Sequence, residues 1–161
     1  MKKFLCILFV TMMLYGLAAC NKSPVTQPTD SQNATNPLLS YSLYTPNDNA
    51  DGFHTETIST EDLSAETVLT ELKKQNVLPD TVSMNSFNID NGLITIDFNQ
   101  AFADIVCSMG TSGELMIVGS VVNTFLDAFQ AESVYFTVDG QILESGHETY
   151  DFNMTFFSFD Y

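Results

Sequence analysis

Arginine and tryptophan are both absent from this 161-residue chain, and five lysines stand against twenty aspartates and glutamates. Without arginine there is no planar fork for gripping phosphate. Without tryptophan a glycan-cleaving cleft is poorly supported as well. The formal net charge of −15 repels the phosphates of nucleic acid at ordinary salt, so a nucleic-acid partner is set aside. Acidity of this kind more often signifies solubility than a cationic partner. Cysteine is scarce too, at three residues, and histidine occurs twice, as His54 and His147, too far apart for zinc-ligand spacing.

What is present begins with Lys2 and Lys3 ahead of the apolar run "FLCILFVTMMLYGLAA", which ends at Cys20. A basic head, a short apolar core and small residues before a cut are the parts of a secretory signal. The run is somewhat short for a spanning helix of ~20 residues, and no charged stop-transfer segment follows it. Leu17-Ala18-Ala19-Cys20 resembles the lipobox of bacterial lipoproteins. That resemblance implies cleavage after Ala19 and a lipid on the Cys20 thiol, with palmitate among its acyl chains. The expected organisation is a signal peptide over 1–19, a lipidated polar tether over 20–37 and one folded domain over 38–161. The tether "NKSPVTQPTDSQNATNP" has no apolar periodicity. Cleavage removes two lysines and no acids, taking the charge from −15 to −17. Cys6 leaves with the signal and Cys20 carries lipid, so Cys107 is the one remaining thiol and no internal disulfide can form. The membrane link is then the lipid on Cys20, on the extracytoplasmic face.

The folded part reads as α+β. Tyr41, Leu43 and Thr45 alternate as a short strand, residues 46–52 turn, and Phe53 opens a return strand. Ser64 is placed as an N-cap, Val68, Leu69 and Leu72 form a buried stripe, and Pro79 marks the exit. In "SFNIDNGLITIDF" the pair Asn91-Gly92 predicts a two-residue type I′ hairpin. Its register sets Ile89 against Ile94 and Phe87 against Ile96, and puts both pairs with Phe98 on one buried face. Residues 111–129 are the longest predicted helix, with Thr111 and Glu114 in capping-box spacing and a wide apolar stripe through Leu115, Val118, Val122, Phe125, Leu126 and Phe129. Val134, Phe136 and Val138 share one side of a strand that ends at the Asp139-Gly140 turn. These patterns predict a small, mainly antiparallel sheet with two principal helices packed on one face. In the tail "YDFNMTFFSFDY" apolar residues alternate, and the face switches between Phe156 and Phe157. The switch suggests a bulge or an outward-facing surface, and equally a terminal strand covered on both sides by its own domain.

Patterns that could carry catalysis or a metal are present only in part. Asn47, Asn49, Asp51 and Gly52 fit the opening of a calcium loop, but its last position is Ile58, so an Asx-Gly turn is expected. Cys107, between Ile105, Val106 and Met109, reads as a small buried hydrophobe rather than a nucleophile. "GTSGE" lacks nucleophile-elbow spacing and opens a helix, which assigns Thr111 and Ser112 to capping. Asp97 with Asp104, or Glu144 with Glu148, can be drawn as acid–base pairs, yet nothing singles them out among twenty acids.

The stretch "VVNTFLDAFQAESVYFTVDG" resembles the core of the GerMN domain of sporulation and germination lipoproteins. It has a helix bearing an Asn-Thr pair, a short gap and a strand ending in Val-Asp-Gly, here Asn123, Thr124, Val138, Asp139 and Gly140. "YSLYTPNDNADGF" is similar to the family's opening, "GLITIDFNQAF" to its strand before the long helix, and Gly146-His147 with "YDF" to its closing segment. The family's namesake carries two such domains, whereas this chain has room for one, and the tail after Phe156 matches no family motif. The resemblance implies a compact α+β domain similar to ring-building domains, no enzyme activity and no cofactor. It makes Asn123 and Thr124 structural or interface residues. Read without it, Thr124 bonds back to the Ser120 carbonyl and Asn123 faces solvent. The expected function is a non-catalytic, lipid-anchored interaction or assembly protein meeting protein partners or copies of itself. Candidate interface residues are Asn123, Thr124, Phe157, Phe159 and Tyr161. The alternative is a module binding a small ligand or a cell-wall polymer.

Overall fold

The computed structural model describes residues 37–159. The expected signal, the lipidation residue Cys20, most of the tether and Tyr161 lie outside the described residues. Two antiparallel strands come first, β1 (Leu39–Pro46) and β2 (Phe53–Thr60), followed by helix α1 (Ala65–Lys74). The hairpin β3 (Met84–Asp90) and β4 (Leu93–Phe98) leads through helices α2 (Gln100–Ser108) and α3 (Thr111–Phe129) to β5 (Ser133–Val138) and the two-residue β6 (Gln141–Ile142). The fold is α+β, and the single expected sheet is two: β1-β2, and a four-stranded sheet ordered β3-β4-β5-β6.

Local chemistry explains most boundaries. Ser64 Oγ accepts the Thr67 N–H at 3.2 Å and caps α1. The helix stops before Pro79, because Asn76 takes the left-handed conformation at φ 58° and the Val77 N–H returns to the Leu72 carbonyl at 2.9 Å. The β3–β4 register is the expected one, with Ile89 opposite Ile94 and Phe87 opposite Ile96. Asn91 and Gly92 hold φ values of 48° and 78°, as a type I′ turn requires. Ile94, Ile96 and Phe98 are fully buried because they alternate onto the one face of β4 that meets the core. Ile89 is 42% exposed, contrary to expectation, because it sits on the edge strand beside the turn. Between β1 and β2 the Asx-Gly turn forms as read. Asn47 and Asp51 spend their side chains on one another, Nδ2 to Oδ1 at 2.8 Å, while Asn47 Oδ1 accepts the Asp51 N–H at 3.1 Å.

Strands β4 and β5 are parallel, which requires a long crossover, and α2 with α3 supplies it. Asn99 secures the entry to α2, its amide accepting the Ser83 N–H and donating to the Thr81 carbonyl. Phe102 and Val106 then plant α2 in the core. Cys107, the next residue round the helix, is exposed rather than buried, since one step rotates a side chain by ~100° away from that stripe. Helix α3 is the centre of the molecule. Met116 through Leu126 are buried without interruption, so β1 covers one side of the helix while the other helices and β5 cover the rest.

Tyr41 on β1 is 2% exposed and its hydroxyl has no hydrogen-bond partner. Burial, aided by the negative charge of Glu71, pushes its pKa up to about 12. The folded value exceeds the unfolded one of ~10, so this residue's contribution to stability is complete below pH ~10 and is lost as pH rises towards 12. Tyr41→Phe should therefore be neutral or stabilising by up to ~1 kcal/mol at pH 8. It should also remove on the order of 2 kcal/mol from the alkaline loss of stability. Urea midpoints measured from pH 8 to 12 check both; parallel curves for the two proteins would contradict them.

Candidate functional site

Asn123, Thr124 and Asp127 form a polar stripe on an otherwise apolar helix, at i, i+1 and i+4. Asn123 and Thr124 have no exposed surface. Asn123 does not face solvent and Thr124 bonds a distant strand rather than the Ser120 carbonyl, so both take the structural role that the resemblance implies. The Asn123 amide bonds both backbone groups of one residue in the tail: Oδ1 accepts the Phe157 N–H at 2.8 Å and Nδ2 donates to the Phe157 carbonyl at 2.9 Å. Thr124 Oγ1 accepts the Tyr44 N–H at 3.0 Å, and Asp127 Oδ2 accepts the Ser42 N–H at 2.6 Å. These two β1 donors point away from β2, so α3 side chains close an edge that a third strand would otherwise pair. Buried in this way, Asn123 and Thr124 cannot themselves touch a partner. They position β1 and the tail.

Those segments are aromatic. Gly119 lets Phe53 and the tail lie directly on α3, since a Cβ there would stand 2.6 Å from Phe53 Cζ and 3.3 Å from Phe157 Cβ. Phe156 packs edge-on against Tyr44 at 5.4 Å, and Phe159 lies 5.5 Å from Phe53. Phe157 and Phe159 are partly buried, whereas Phe156 is 51% exposed. The tail is not a strand that switches faces. Met154 makes an isolated bridge to Val134, and beyond it the backbone is held by the Asn123 amide instead of a ladder.

At the opposite end of α3 lies a residue whose role the sequence did not disclose. The spacing of Thr111 and Glu114 predicts a capping box, but the N-cap is Gly110 and no side chain caps this helix. Thr111 is the first helical residue. Glu114 is 2% exposed and its Oε1 accepts hydroxyl protons from Ser145 at 2.6 Å and Tyr150 at 2.7 Å. It thereby fastens the segment after β6 to the start of α3. The Tyr150 hydroxyl is pushed well above the usual phenol range by burial first and then by its bond to Glu114. Partial burial of the sulfur, with the charges of Glu114 and Asp104, also pushes the Cys107 thiol up, the reverse of what an attacking thiolate needs. Its S–H meets the Glu144 carbonyl at 3.4 Å.

The Glu114 arrangement is testable by substitution. Glu114→Gln keeps an acceptor for both hydroxyls, whereas Glu114→Leu leaves the Tyr150 hydroxyl buried and unpaired. The Leu variant should be less stable than the Gln variant by ~1–3 kcal/mol. Adding Tyr150→Phe should recover part of that difference in a double-mutant cycle. No recovery would mean that the hydroxyl bond carries none of the effect.

The Val138-Asp139-Gly140 motif is a tight turn. Asp139 and Gly140 hold φ values of 47° and 75°, and Asp97 Oδ1 accepts the Thr137 hydroxyl at 2.6 Å and the Gly140 N–H at 2.8 Å. Those bonds, the Thr137 one foremost, hold the Asp97 carboxyl below its usual pKa. Asp97 thus anchors a turn and is not paired with Asp104 for acid–base work. Beside the turn, between α2 and β6, is an open groove of about 710 Å³ lined by Gln100, Ala103, Gln141, Ile142 and Glu144 among others. Among the described residues no group of three or more His, Cys, Asp or Glu is placed to hold a metal ion, and no helix is long and apolar enough to cross a membrane.

Comparison with known proteins follows the same core. The first GerMN domain of the sporulation protein GerM from Bacillus subtilis is 19% identical, covering 76% of this chain and 96% of that one, with a TM-score of 0.47. The tandem GerMN domains of the same protein are 16% identical over 74% of this chain, with a TM-score of 0.47, and this chain spans 45% of their length. A candidate lipoprotein from Clostridium perfringens is 15% identical, covering 73% of this chain and 87% of that one, with a TM-score of 0.44. No curated protein matches the chain. The model of the Germane family, described as sporulation and spore germination, matches residues 42–144, from β1 to just past β6. With that match covering most of the sequence, the chain belongs to the Germane family of sporulation and spore germination proteins.

Proposed function

We propose that this protein is a non-catalytic, lipid-anchored assembly module on the outer face of the cytoplasmic membrane, serving sporulation or spore germination. The observation that carries the reading is the use made of the family's own polar residues. Asn123 and Thr124 are spent on backbone segments rather than lining a cavity, and Asp139, which borders the groove beside α2, forms the β5–β6 turn. What they hold in place is surface: the β1-β2 ribbon, the aromatic tail and the β5–β6 hairpin. The lipobox at Leu17–Cys20 supports the anchor, and the polar tract after it gives the domain reach from the membrane. A net charge of −17 after cleavage is repelled by anionic head groups, so the lipid is the membrane link.

A second reading, a module for a small ligand or wall polymer, is favoured by the groove between α2 and β6. Its acids and amides suit a polar or cationic group better than an apolar one.

Metabolic labelling with palmitate tests the anchor. The wild-type chain should take up label and partition with membranes, and Cys20→Ser should lose both properties while keeping the fold. Unlabelled wild-type protein, or a Cys20→Ser chain that stays on the membrane, would overturn the anchored reading.

A further inference from the structure

The groove over α3 reads its occupant through the backbone. The one buried side-chain amide there, Asn123, bonds the N–H and the C=O of a single residue, as a neighbouring strand does, and makes no demand on that residue's side chain. Apolar fit comes from the close approach that Gly119 allows and from the Tyr44 and Phe53 rings, which meet Phe156 and Phe159. All four groove residues lie inside the family match at 42–144, whereas the segment that fills the groove lies outside it. That segment is lightly held. After the Met154–Val134 bridge, the only hydrogen bonds of residues 155–159 among the described residues are the two to Asn123. Thr155, Phe156 and Ser158 are exposed.

We infer that this groove is a docking site for an aromatic peptide, occupied in the single chain by its own tail and able to take the same tail from a second copy. The occupant is identified by what sits there: Phe156, Phe157 and Phe159 on a backbone outside any helix or strand. The seven residues after Met154 reach at most ~25 Å, enough to cross to a neighbour in contact but not to a distant one. Reciprocal exchange gives a closed pair, and one-way donation gives a chain or ring of copies. Donation in trans competes with an intramolecular tail, so it is weak in dilute solution and gains where anchored copies are crowded. The inference deepens the assembly reading and rests on it for its setting, but its chemistry is tested separately.

The test uses the full mature chain with Cys20→Ser, and a tail-released form that also carries Phe157→Gly and Phe159→Gly. A fluorescent peptide of residues 153–161 is titrated against each and followed by anisotropy. It should bind the tail-released chain saturably at one site, and the chain with its own tail at least tenfold more weakly. A peptide with Phe157→Pro, which has no N–H for Asn123 Oδ1, should also bind at least tenfold more weakly, as should the original peptide to a tail-released chain carrying Asn123→Ala. A tail-released chain that melts cooperatively yet binds no peptide, or binds the proline peptide equally well, would overturn the inference. So would a tail-released chain that does not fold, since the tail would then be core. None of these outcomes bears on palmitate labelling, and loss of the label would leave the peptide result standing.

Discussion

Asn123→Ala should lower the unfolding free energy by ~2–3 kcal/mol and release the tail from the domain. Two hydrogen bonds to a buried amide are lost, each with a net value of ~0.5–1.5 kcal/mol, and a small cavity opens beside α3. The backbone of Phe157 is left without its partners, and because its neighbours Phe156 and Ser158 are exposed, it can recover hydration only by lifting away. Chymotrypsin should therefore cut at Phe157 or Phe159 in the variant under conditions where the parent is spared. Asn123→Asp separates bonding from volume. It keeps the acceptor for the Phe157 N–H but turns an acceptor towards the Phe157 carbonyl, so it should destabilise at pH 7 despite its nearly identical shape. If both variants stay within ~0.5 kcal/mol of the parent, the clamp has no energetic role.

The larger loss is expected at Phe136. Its ring meets Phe98 and Phe102 edge-on, each at 5.4 Å, while those two stack on one another at 4.2 Å. All three are fully buried. They come from β5, β4 and α2, so this triad seals the crossover that makes β4 and β5 parallel. Phe136→Ala should cost ~3–5 kcal/mol, from lost apolar burial and a cavity that rigid neighbours fill poorly. Against a typical total of 5–15 kcal/mol, that moves the urea midpoint far down or abolishes the folded state at 37 °C. Phe152→Ala is the control. That side chain is 45% exposed, and its removal should change the midpoint little. A Phe136 variant costing under 1 kcal/mol would place the core elsewhere.

Features governed by near neighbours in sequence were legible. The Asn91-Gly92 turn, the β3–β4 register, the Ser64 cap and the span of α3 all follow from contacts within a few residues. The features that depend on distant partners were not. Without the resemblance Asn123 looks solvent-facing and Thr124 back-bonded to Ser120, because their partners lie 34 and 80 residues away. Glu114 mimics a capping box for the same reason, with its hydroxyl donors 31 and 36 residues downstream. The sequence patterns predict two principal helices, α1 and α3, and leave α2 without a signal of its own. Without it the parallel pairing of β4 with β5 cannot be foreseen, and the position of Cys107 on its outer face is hidden. The tail's alternating phenylalanines signal a strand, but alternation reports only an extended backbone. Here the partner of that backbone is an amide side chain.

Association of the folded domain is the claim on which the functional account depends. It is tested most directly by sedimentation of the mature chain with Cys20→Ser over a wide concentration range, at low and moderate salt. With a net charge near −17, repulsion between copies opposes contact at low salt and is screened within ~10 Å at 0.1 M. The account predicts a weight-average mass that rises with concentration, and rises further at moderate salt. A single monomer mass throughout, at both salts and at the highest concentration reached, would contradict self-assembly as the work of this domain.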